Sequence, residues 1–240
     1  MQKTLKILPI ISRWLFILCL PAMLLTAGIC IAVNCQGLYE YGFNKYHIEQ
    51  KTGLEDMELE KASGGLISYF NSGEERIDIS VTKDGQPFVL FNQKEIAHLR
   101  DVKGLIQLDY WVLLWTSIYA LFYAGVNLFW RRQKYRWRLV QAVLYGSGLT
   151  LGLMLLLGLM ALFNFEGFFL QFHLISFTNN LWQLDPTKDY LIMLFPQGFW
   201  YDATIFFALL TVGLAILLGG VAGGSLFIKR RKTRSLVNIL

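Results

Sequence analysis

This 240-residue sequence lacks most of the short motifs that mark soluble enzymes, and it has few reactive side chains. It contains three histidines and three cysteines. It has no glycine-rich Walker loop, no Gly-x-Ser-x-Gly elbow and no His-Glu-x-x-His zinc motif, so these nucleotide-dependent, serine-hydrolase and zinc-peptidase motif classes are excluded. Because the histidines are scattered, a zinc site is only weakly indicated, and we expect neither a metal nor another cofactor.

Charged residues are almost absent from the centres of four long apolar stretches, at 14–33, 110–129, 139–163 and 203–228. Each is close to the roughly 20 residues that a helix needs to cross a bilayer core. Ion-coupled transporters and proton pumps usually carry charges near the middle of the membrane, so that class is disfavoured. The sequence predicts an all-α polytopic membrane protein, a four-helix transmembrane bundle forming a single domain over residues 1–240.

Acidic residues are absent from three basic runs, at 3–13, 131–138 and 229–234. These runs hold 13 of the 22 Lys and Arg, whereas all 17 Asp and Glu fall in segments 34–109 and 164–202. Basic residues in short loops stay in the cytoplasm, which predicts that both termini lie inside and the two acidic segments lie outside. The net charge of +5 therefore indicates an inner face beside anionic lipid and not a nucleic-acid partner.

The first outer segment has the pattern of a small α+β extracellular cap. Apolar residues at helical spacing predict a helix at 54–70, with Thr52 as its cap. Alternating residues at 77–81 and 88–91 flank a turn and predict a hairpin. Asn92 then predicts the start of a second helix that runs toward the second span.

The second outer segment contains an apolar run at 168–177 that is too hydrophobic for a solvated loop and too short to span. We expect it to be an interfacial or re-entrant helix. His173 lies in its middle and needs a polar partner or a watery cavity. Further along, Asp185 followed by Pro186 predicts a helix start, and 190–195 a short buried helix.

Three polar residues follow Asn92 at spacings of three: Glu95, His98 and Asp101. This spacing places them on one face of a helix. A carboxylate one turn from an imidazole can fix its tautomer and raise its basicity, which would suit catalysis. The ordinary interpretation, a solvated face of an amphipathic helix, stays open from spacing alone.

A wider set of residues, read in order, resembles a known family of membrane enzymes. The set comprises Glu95-x-x-His98-x-x-Asp101-Val102-Lys103, then Phe172-His173-x-x-x-Phe177-x-Asn179-x-x-Trp182, Asp185-Pro186, Leu191-Ile192, Phe195-Pro196 and Asp202. It resembles the lipoprotein intramolecular transacylase family, called Lit, and the resemblance covers the whole chain. The paired histidine motifs are fairly specific together, although neither is specific alone.

The resemblance implies acyl transfer within one substrate at the outer face of a bacterial plasma membrane. The partner would be a lipoprotein whose N-terminal cysteine carries a diacylglyceryl thioether and a free α-amine. The enzyme would move the sn-2 acyl chain to that amine and give a lyso-form lipoprotein, with no metal, nucleotide or separate acyl donor.

The same resemblance assigns roles to individual residues. An imidazole with a pKa near ~6.5 can take a proton from the amine and return one to the leaving alkoxide. The implied site comprises His98 and His173 for proton transfer, Asp101 to orient His98, Asn179 to stabilise the oxyanion, and Trp182 and Asp202 to bind substrate. For Trp182 an aromatic belt at the membrane interface is the simpler explanation, and His47 is expected to be structural or solvated.

A second function, from another class, fits the same topology. The chain could be a non-catalytic membrane assembly or sensor subunit whose outer cap binds a partner. That hypothesis does not require His98 and His173 to be close in space, so the distance between the two imidazoles separates the two hypotheses.

Overall fold

The computed structural model describes residues 2–130 and 133–237. Arg131 and Arg132, which belong to the middle basic run, lie outside the described residues. In chain order the elements are α1 Gln2–Asn34, α2 Gln36–Lys45, α3 Ile48–Thr52, α4 Asp56–Asn71, β1 Ser80–Lys83, β2 Gln86–Val89, α5 Gln93–Gly125, a π-helical turn Val126–Trp130, α6 Gln133–Phe163, α7 Phe165–Ser176, α8 Tyr190–Leu194 and α9 Gln197–Val237.

Four helical segments of the described chain are long and apolar enough to cross a membrane. They are Leu8–Asn34, Gln93–Phe129, Arg136–Phe163 and Gln197–Arg231. Each contains one of the four stretches predicted from the sequence, so the predicted multi-pass helical fold is confirmed. The segments are longer than predicted because their polar ends continue the same helices.

The chain divides into two compact units. The first comprises Met1–Gly28, Trp111–Gly158 and Ala208–Leu240, and the second comprises Ile29–Tyr110 and Leu159–Phe207. In the described part of the first unit, Phe16 stacks on Tyr123 with ring centroids 4.7 Å apart. The buried hydroxyl of Thr150 donates to the Gly146 carbonyl of its own helix at 2.9 Å, as expected where lipid offers no other partner.

Close packing in the first unit depends on a glycine of α6. A Cβ built on Gly146 would lie 2.7 Å from Cδ2 and 3.0 Å from Cβ of Leu20 on α1, and 3.4 Å from the Ile17 carbonyl oxygen. Small residues at helix interfaces in membranes allow backbones to approach closely. The absence of a side chain at Gly146 therefore lets α6 approach α1.

Gly146→Leu is expected to lower the thermal unfolding midpoint of the purified protein in detergent. Overpacking of this kind costs about 1–3 kcal/mol. Gly148→Leu is the matched control, because a Cβ at Gly148 meets no atom within 4 Å. Equal midpoints for the two variants would show that the α1–α6 approach does not depend on Gly146.

In the second unit, Thr52 does not cap the helix that the sequence predicts to begin at residue 54. It ends α3, where its hydroxyl donates to the Ile48 carbonyl at 2.8 Å and accepts the Leu54 N–H at 3.2 Å. Gly53 follows at φ 68°, the left-handed geometry that commonly terminates helices. The chain is thereby redirected, and α4 begins at Asp56, two residues later than predicted.

The predicted hairpin forms, but its ladder lies closer to the turn. Lys83 pairs with Gln86 across Asp84 and Gly85, whose φ angles of 54° and 73° are both positive. Two consecutive positive φ values define a type I′ turn, whose twist matches that of the flanking strands. The alternating residues before β1 are buried, since Ile77 and Ile79 are 4% and 7% exposed. The alternating apolar residues therefore indicated which side chains are buried, but they did not indicate how many residues pair in the hairpin.

Helices α5 and α7 both begin at asparagine caps. Oδ1 of Asn92 accepts the N–H groups of Lys94 and Glu95 at 2.9 and 3.1 Å, which confirms the predicted start of α5. Oδ1 of Asn164 likewise accepts the Gly167 N–H at 2.9 Å at the start of α7. In the second unit α7 buries none of its residues, as expected for a helix that lies at a lipid interface.

The helix predicted to start at Asp185 and Pro186 is a single turn. Oδ1 of Asp185 accepts the Thr187 N–H at 3.0 Å, but helical structure resumes only at Tyr190. The short helix predicted at 190–195 is confirmed as α8, which buries Leu191 and Leu194.

Candidate active site

His98 is a buried polar residue near the start of α5. It is 7% exposed and lies in the second turn of the helix. Its Nδ1 is inaccessible to solvent and has no hydrogen-bond partner among residues 2–130 and 133–237. An unpaired polar atom in an apolar setting destabilises the fold, so its presence requires an explanation other than stability. His98 is therefore a functional candidate.

His173 projects from α7 into a group of aromatic rings. Its Nδ1 lies 2.7 Å from the Phe169 carbonyl oxygen, one helical turn earlier. A carbonyl only accepts, so in the neutral ring Nδ1 carries the proton and Nε2 keeps its lone pair. Burial lowers the pKa of His173 below its ordinary value, opposed by the hydrogen bond to Phe169. His173 is therefore a neutral imidazole at pH 7, with a basic Nε2.

The fold brings these two histidines together from helices that lie far apart in the sequence. The ring centroids of His98 and His173 are 6.4 Å apart, with an angle of 28° between the ring planes. Phe177 contacts both, at 5.1 Å from His98 and 5.6 Å from His173. Other rings around His173 belong to Phe169 at 4.4 Å, Trp182 at 4.9 Å and Phe172 at 5.4 Å. Both imidazoles can thus face one small substrate group.

Asp101 and Asn179 contact each other beside this pair. Nδ2 of Asn179 donates to Oδ2 of Asp101 at 2.8 Å, and its Oδ1 accepts the Leu181 N–H at 3.0 Å. Within the described part of the chain, no direct hydrogen bond joins Asp101 to His98. Orientation of His98 by Asp101, and an oxyanion contact from Asn179, stay predictions.

Asp202 is held by two neighbours on or next to α2. Lys45 Nζ lies 2.9 and 2.7 Å from its two carboxylate oxygens, and the Tyr46 hydroxyl donates to Oδ2 at 2.8 Å. The hydrogen bond to Asp202 raises the pKa of Lys45 above its usual range. The carboxylate therefore fastens α2 to the start of α9, and the predicted contact of Asp202 with substrate stays a prediction.

Glu95 does not pair with His98, although their spacing suggested it. Its two carboxylate oxygens accept the backbone N–H groups of Asn92 and Leu191, each at 2.7 Å. No sequence motif singled out Phe169, and Phe177 entered only as part of the family resemblance. A signal for both exists, because residues 169, 173 and 177 recur every fourth position and so lie along one side of a helix. No group of three or more potential metal ligands occurs among the described residues.

The four long apolar helices define a polytopic membrane protein, and its second unit holds two adjacent histidines. The chain belongs to the lipoprotein intramolecular transacylase Lit family, whose model matches residues 14–200, and it is accordingly an acyltransferase. A protein of Aquifex aeolicus, described as uncharacterized, is 28% identical over 189 residues, which cover 77% of this chain and 81% of that protein.

Solved structures show the same fold. The membrane integral lipoprotein intramolecular transacylase Lit from Bacillus cereus superposes with a TM-score of 0.77 at 22% identity, covering 92% of this chain and 97% of that one. A histidine-to-alanine variant of the Bacillus cereus protein gives a TM-score of 0.74 at 20% identity, covering 96% and 99% of the two chains. Membership of the Lit family therefore favours an acyltransferase over a non-catalytic assembly or sensor subunit.

Proposed function

We propose that this enzyme moves the sn-2 acyl chain of a diacylglyceryl lipoprotein onto the α-amine of the lipoprotein's N-terminal cysteine. One observation carries this proposal beyond family membership: His98 and His173 lie 6.4 Å apart within one aromatic-lined group. The reaction needs one proton removed from nitrogen and one delivered to oxygen, and two adjacent imidazoles supply both functions.

The acyl transfer takes place within one substrate molecule, and its atoms and charges balance. The neutral amine attacks the ester carbonyl, a new C–N bond forms, and the C–O bond to glycerol breaks. The amine proton passes to an imidazole, for which Nε2 of His173 has the free lone pair. The departing glycerol oxygen takes a proton, which the histidine pair returns. Positioned proton transfer of this kind contributes about 10²–10⁴ in rate.

Neighbouring side chains have supporting roles in this proposal. Asn179 has a second N–H beyond the one given to Asp101, and this N–H can stabilise the oxyanion of the tetrahedral intermediate. Trp182 contributes a flat apolar wall next to His173. Asp101 orients His98 through one bridging water molecule. Asp202, at the start of α9 and paired with Lys45, binds the substrate.

The lipid chains of the substrate have an apolar route to this site. Leu170, Leu174 and Ile175 of α7 are 43%, 56% and 84% exposed. A helix with this much exposed apolar surface suits the membrane interface. The acyl chains remain in lipid along α7 while the headgroup reaches His173.

The test is conversion of a defined substrate. Purified protein in lipid vesicles is given a synthetic diacylglyceryl-cysteine peptide with a free amine, and mass spectrometry follows the N-terminus. We expect N-acyl lyso-form product without added donor, nucleotide or metal. Vesicles without the protein should give none. Absence of product with a competent substrate would favour the assembly or sensor hypothesis.

The proposal also requires the site to face outward, with both termini in the cytoplasm. In a variant lacking Cys19, Cys30 and Cys35, a cysteine at Lys188 should react with a membrane-impermeant maleimide on intact cells. A cysteine at Arg136 should react only after the membrane is opened. Both positions are exposed in the structure, so access to reagent depends on the side of the membrane. Labelling of Arg136→Cys on intact cells would contradict the predicted topology.

A further inference from the structure

Two buried carboxylates have no part in the proton transfer described above. Glu95 is 1% exposed and Asp189 is 3% exposed. Burying a carboxylate is unfavourable unless hydrogen bonds compensate for the lost water. Their partners therefore indicate what these two residues are for.

The two carboxylates join the start of α5 to the start of α8. Glu95 accepts the N–H of Asn92 and the N–H of Leu191, each at 2.7 Å. Asp189 accepts from Nδ2 of Asn92 at 2.9 Å and from the Asp185 N–H at 2.7 Å. Hydrogen bonds to ionised acceptors are roughly twice as strong as neutral ones. We call the set of Asn92, Glu95 and Asp189 the latch.

The latch closes the far end of a segment that lies against the histidines. Residues 177–189 connect α7 to α8, and the segment includes Asn179 and Trp182. It contacts α5 at two further points, through the hydrogen bond from Asn179 to Asp101 and that from Lys94 Nζ to the Gln183 carbonyl. Three attachments thus align this segment along the first turns of α5, on either side of His98.

We propose that the latch is a positioning device for the acyl transfer. Glu95 acts through backbone groups: it fixes the start of α8, and so sets where Trp182 and Asn179 stand relative to His98 and His173. This inference rests on the proposed function and deepens it. Catalytic geometry is sensitive to such placement, because a displacement of 1 Å can cost about 10²-fold in rate.

Glu95→Gln keeps the shape of the side chain but replaces one acceptor oxygen by a donor, so one of two backbone N–H groups loses its partner. We expect kcat per folded enzyme to fall about tenfold, with KM for the diacylglyceryl peptide little changed. Glu95→Ala should lose about 10²-fold. Glu58→Gln is the matched control: Glu58 pairs with Lys61 at 3.7 Å on α4 and takes no part in the latch.

Hydrogen–deuterium exchange tests the latch without reference to activity. In Glu95→Gln either the Leu191 or the Asn92 amide loses its acceptor, and either loss weakens the latch, so peptides covering 179–191 should exchange faster, while those covering the β1–β2 hairpin should not. In Glu58→Gln the exchange of 179–191 should equal that of the wild type.

A double-mutant cycle tests whether the two carboxylates act as one device. Asp189→Asn disturbs the latch from its other side. If both act through the same segment, Glu95→Gln combined with Asp189→Asn should lower kcat little further than the worse single variant. Losses that multiply would overturn the shared latch.

The outcomes separate this inference from the proposed function. If the wild type converts the peptide and Glu95→Gln has wild-type kcat per folded enzyme, Glu95 serves stability alone and the positioning role is overturned. If the wild type converts nothing, the proposed function fails. The exchange experiment then decides whether the latch holds segment 177–189. Unchanged exchange in Glu95→Gln would overturn the latch as well.

Discussion

Replacing either His98 or His173 by alanine is expected to reduce lyso-lipoprotein formation by at least about 10²-fold. In the proposed mechanism the two imidazoles handle the only protons that move in the reaction, and their ring centroids are 6.4 Å apart. Loss of one leaves either the amine without a base or the glycerol oxygen without an acid. The measurement is the mass of the reporter N-terminus in vesicles, as a rate per folded enzyme.

The third histidine, His47, provides the control for this experiment. His47 is exposed and lies at φ 51°, a left-handed conformation that asparagine tolerates better than alanine. His47→Asn should therefore retain full conversion. Asp101→Asn should reduce conversion less than loss of His98, because the imidazole remains. Wild-type rates in both His98→Ala and His173→Ala would refute the proton-transfer assignment.

The pH dependence of kcat/KM should show two breaks on its acidic side. The substrate amine must be neutral, and its pKa of about 7.7–8.0 gives the first break. Because burial lowers the pKa of His173, the second break should lie below about 6.5. Below that pH both groups gain a proton, so the rate should fall about 100-fold for each further pH unit.

A variant at Trp182 connects the second break to His173. Trp182 lies 4.9 Å from the imidazole and contributes to its burial. In Trp182→Ala water should reach the ring, so the break should move up toward about 6.5 even though the rate is lower. A second break above about 6.5 in the wild type, or one that does not move in the variant, would contradict the assignment.

The same lowered pKa of His173 has a consequence for folding. At His173 the unfolded chain binds the proton more readily than the folded one, so the contribution of this histidine to the free energy of unfolding is greatest at high pH. It should decrease as pH falls below about 6.5, the pKa of an unperturbed histidine, and level off below the folded value.

The long helices and their ends were predictable because the signals are local. Apolar length alone located four spans. Asn92 marked the start of α5, where its side chain accepts the N–H groups of Lys94 and Glu95. Thr52 has the same local chemistry, yet it ends α3 because Gly53 turns the chain. A capping side chain therefore indicates that a helix terminus is near, but it is less reliable in indicating which helix the terminus belongs to.

The sequence singled out residues for the candidate site, but it did not predict their contacts. The sequence singled out His98, His173 and Glu95, and helical spacing placed Glu95 beside His98. The fold instead offered Glu95 the N–H of Leu191, 96 positions away, which no periodicity shows. Likewise, only tertiary packing of α5 against α7 determines that the two histidines meet.

In the proposed mechanism the rings around His173 also affect which nucleophile reaches the ester. Water is far more concentrated than any amine, and an acyl group exposed to it would leave as free fatty acid. Phe169, Phe172, Phe177 and Trp182 all have ring centroids within 5.6 Å of the imidazole, and they occupy space that solvent would otherwise fill. Exclusion of water suppresses such side reactions. The aromatic wall therefore fixes the partition between amide product and hydrolysis, a ratio separate from the speed of the transfer.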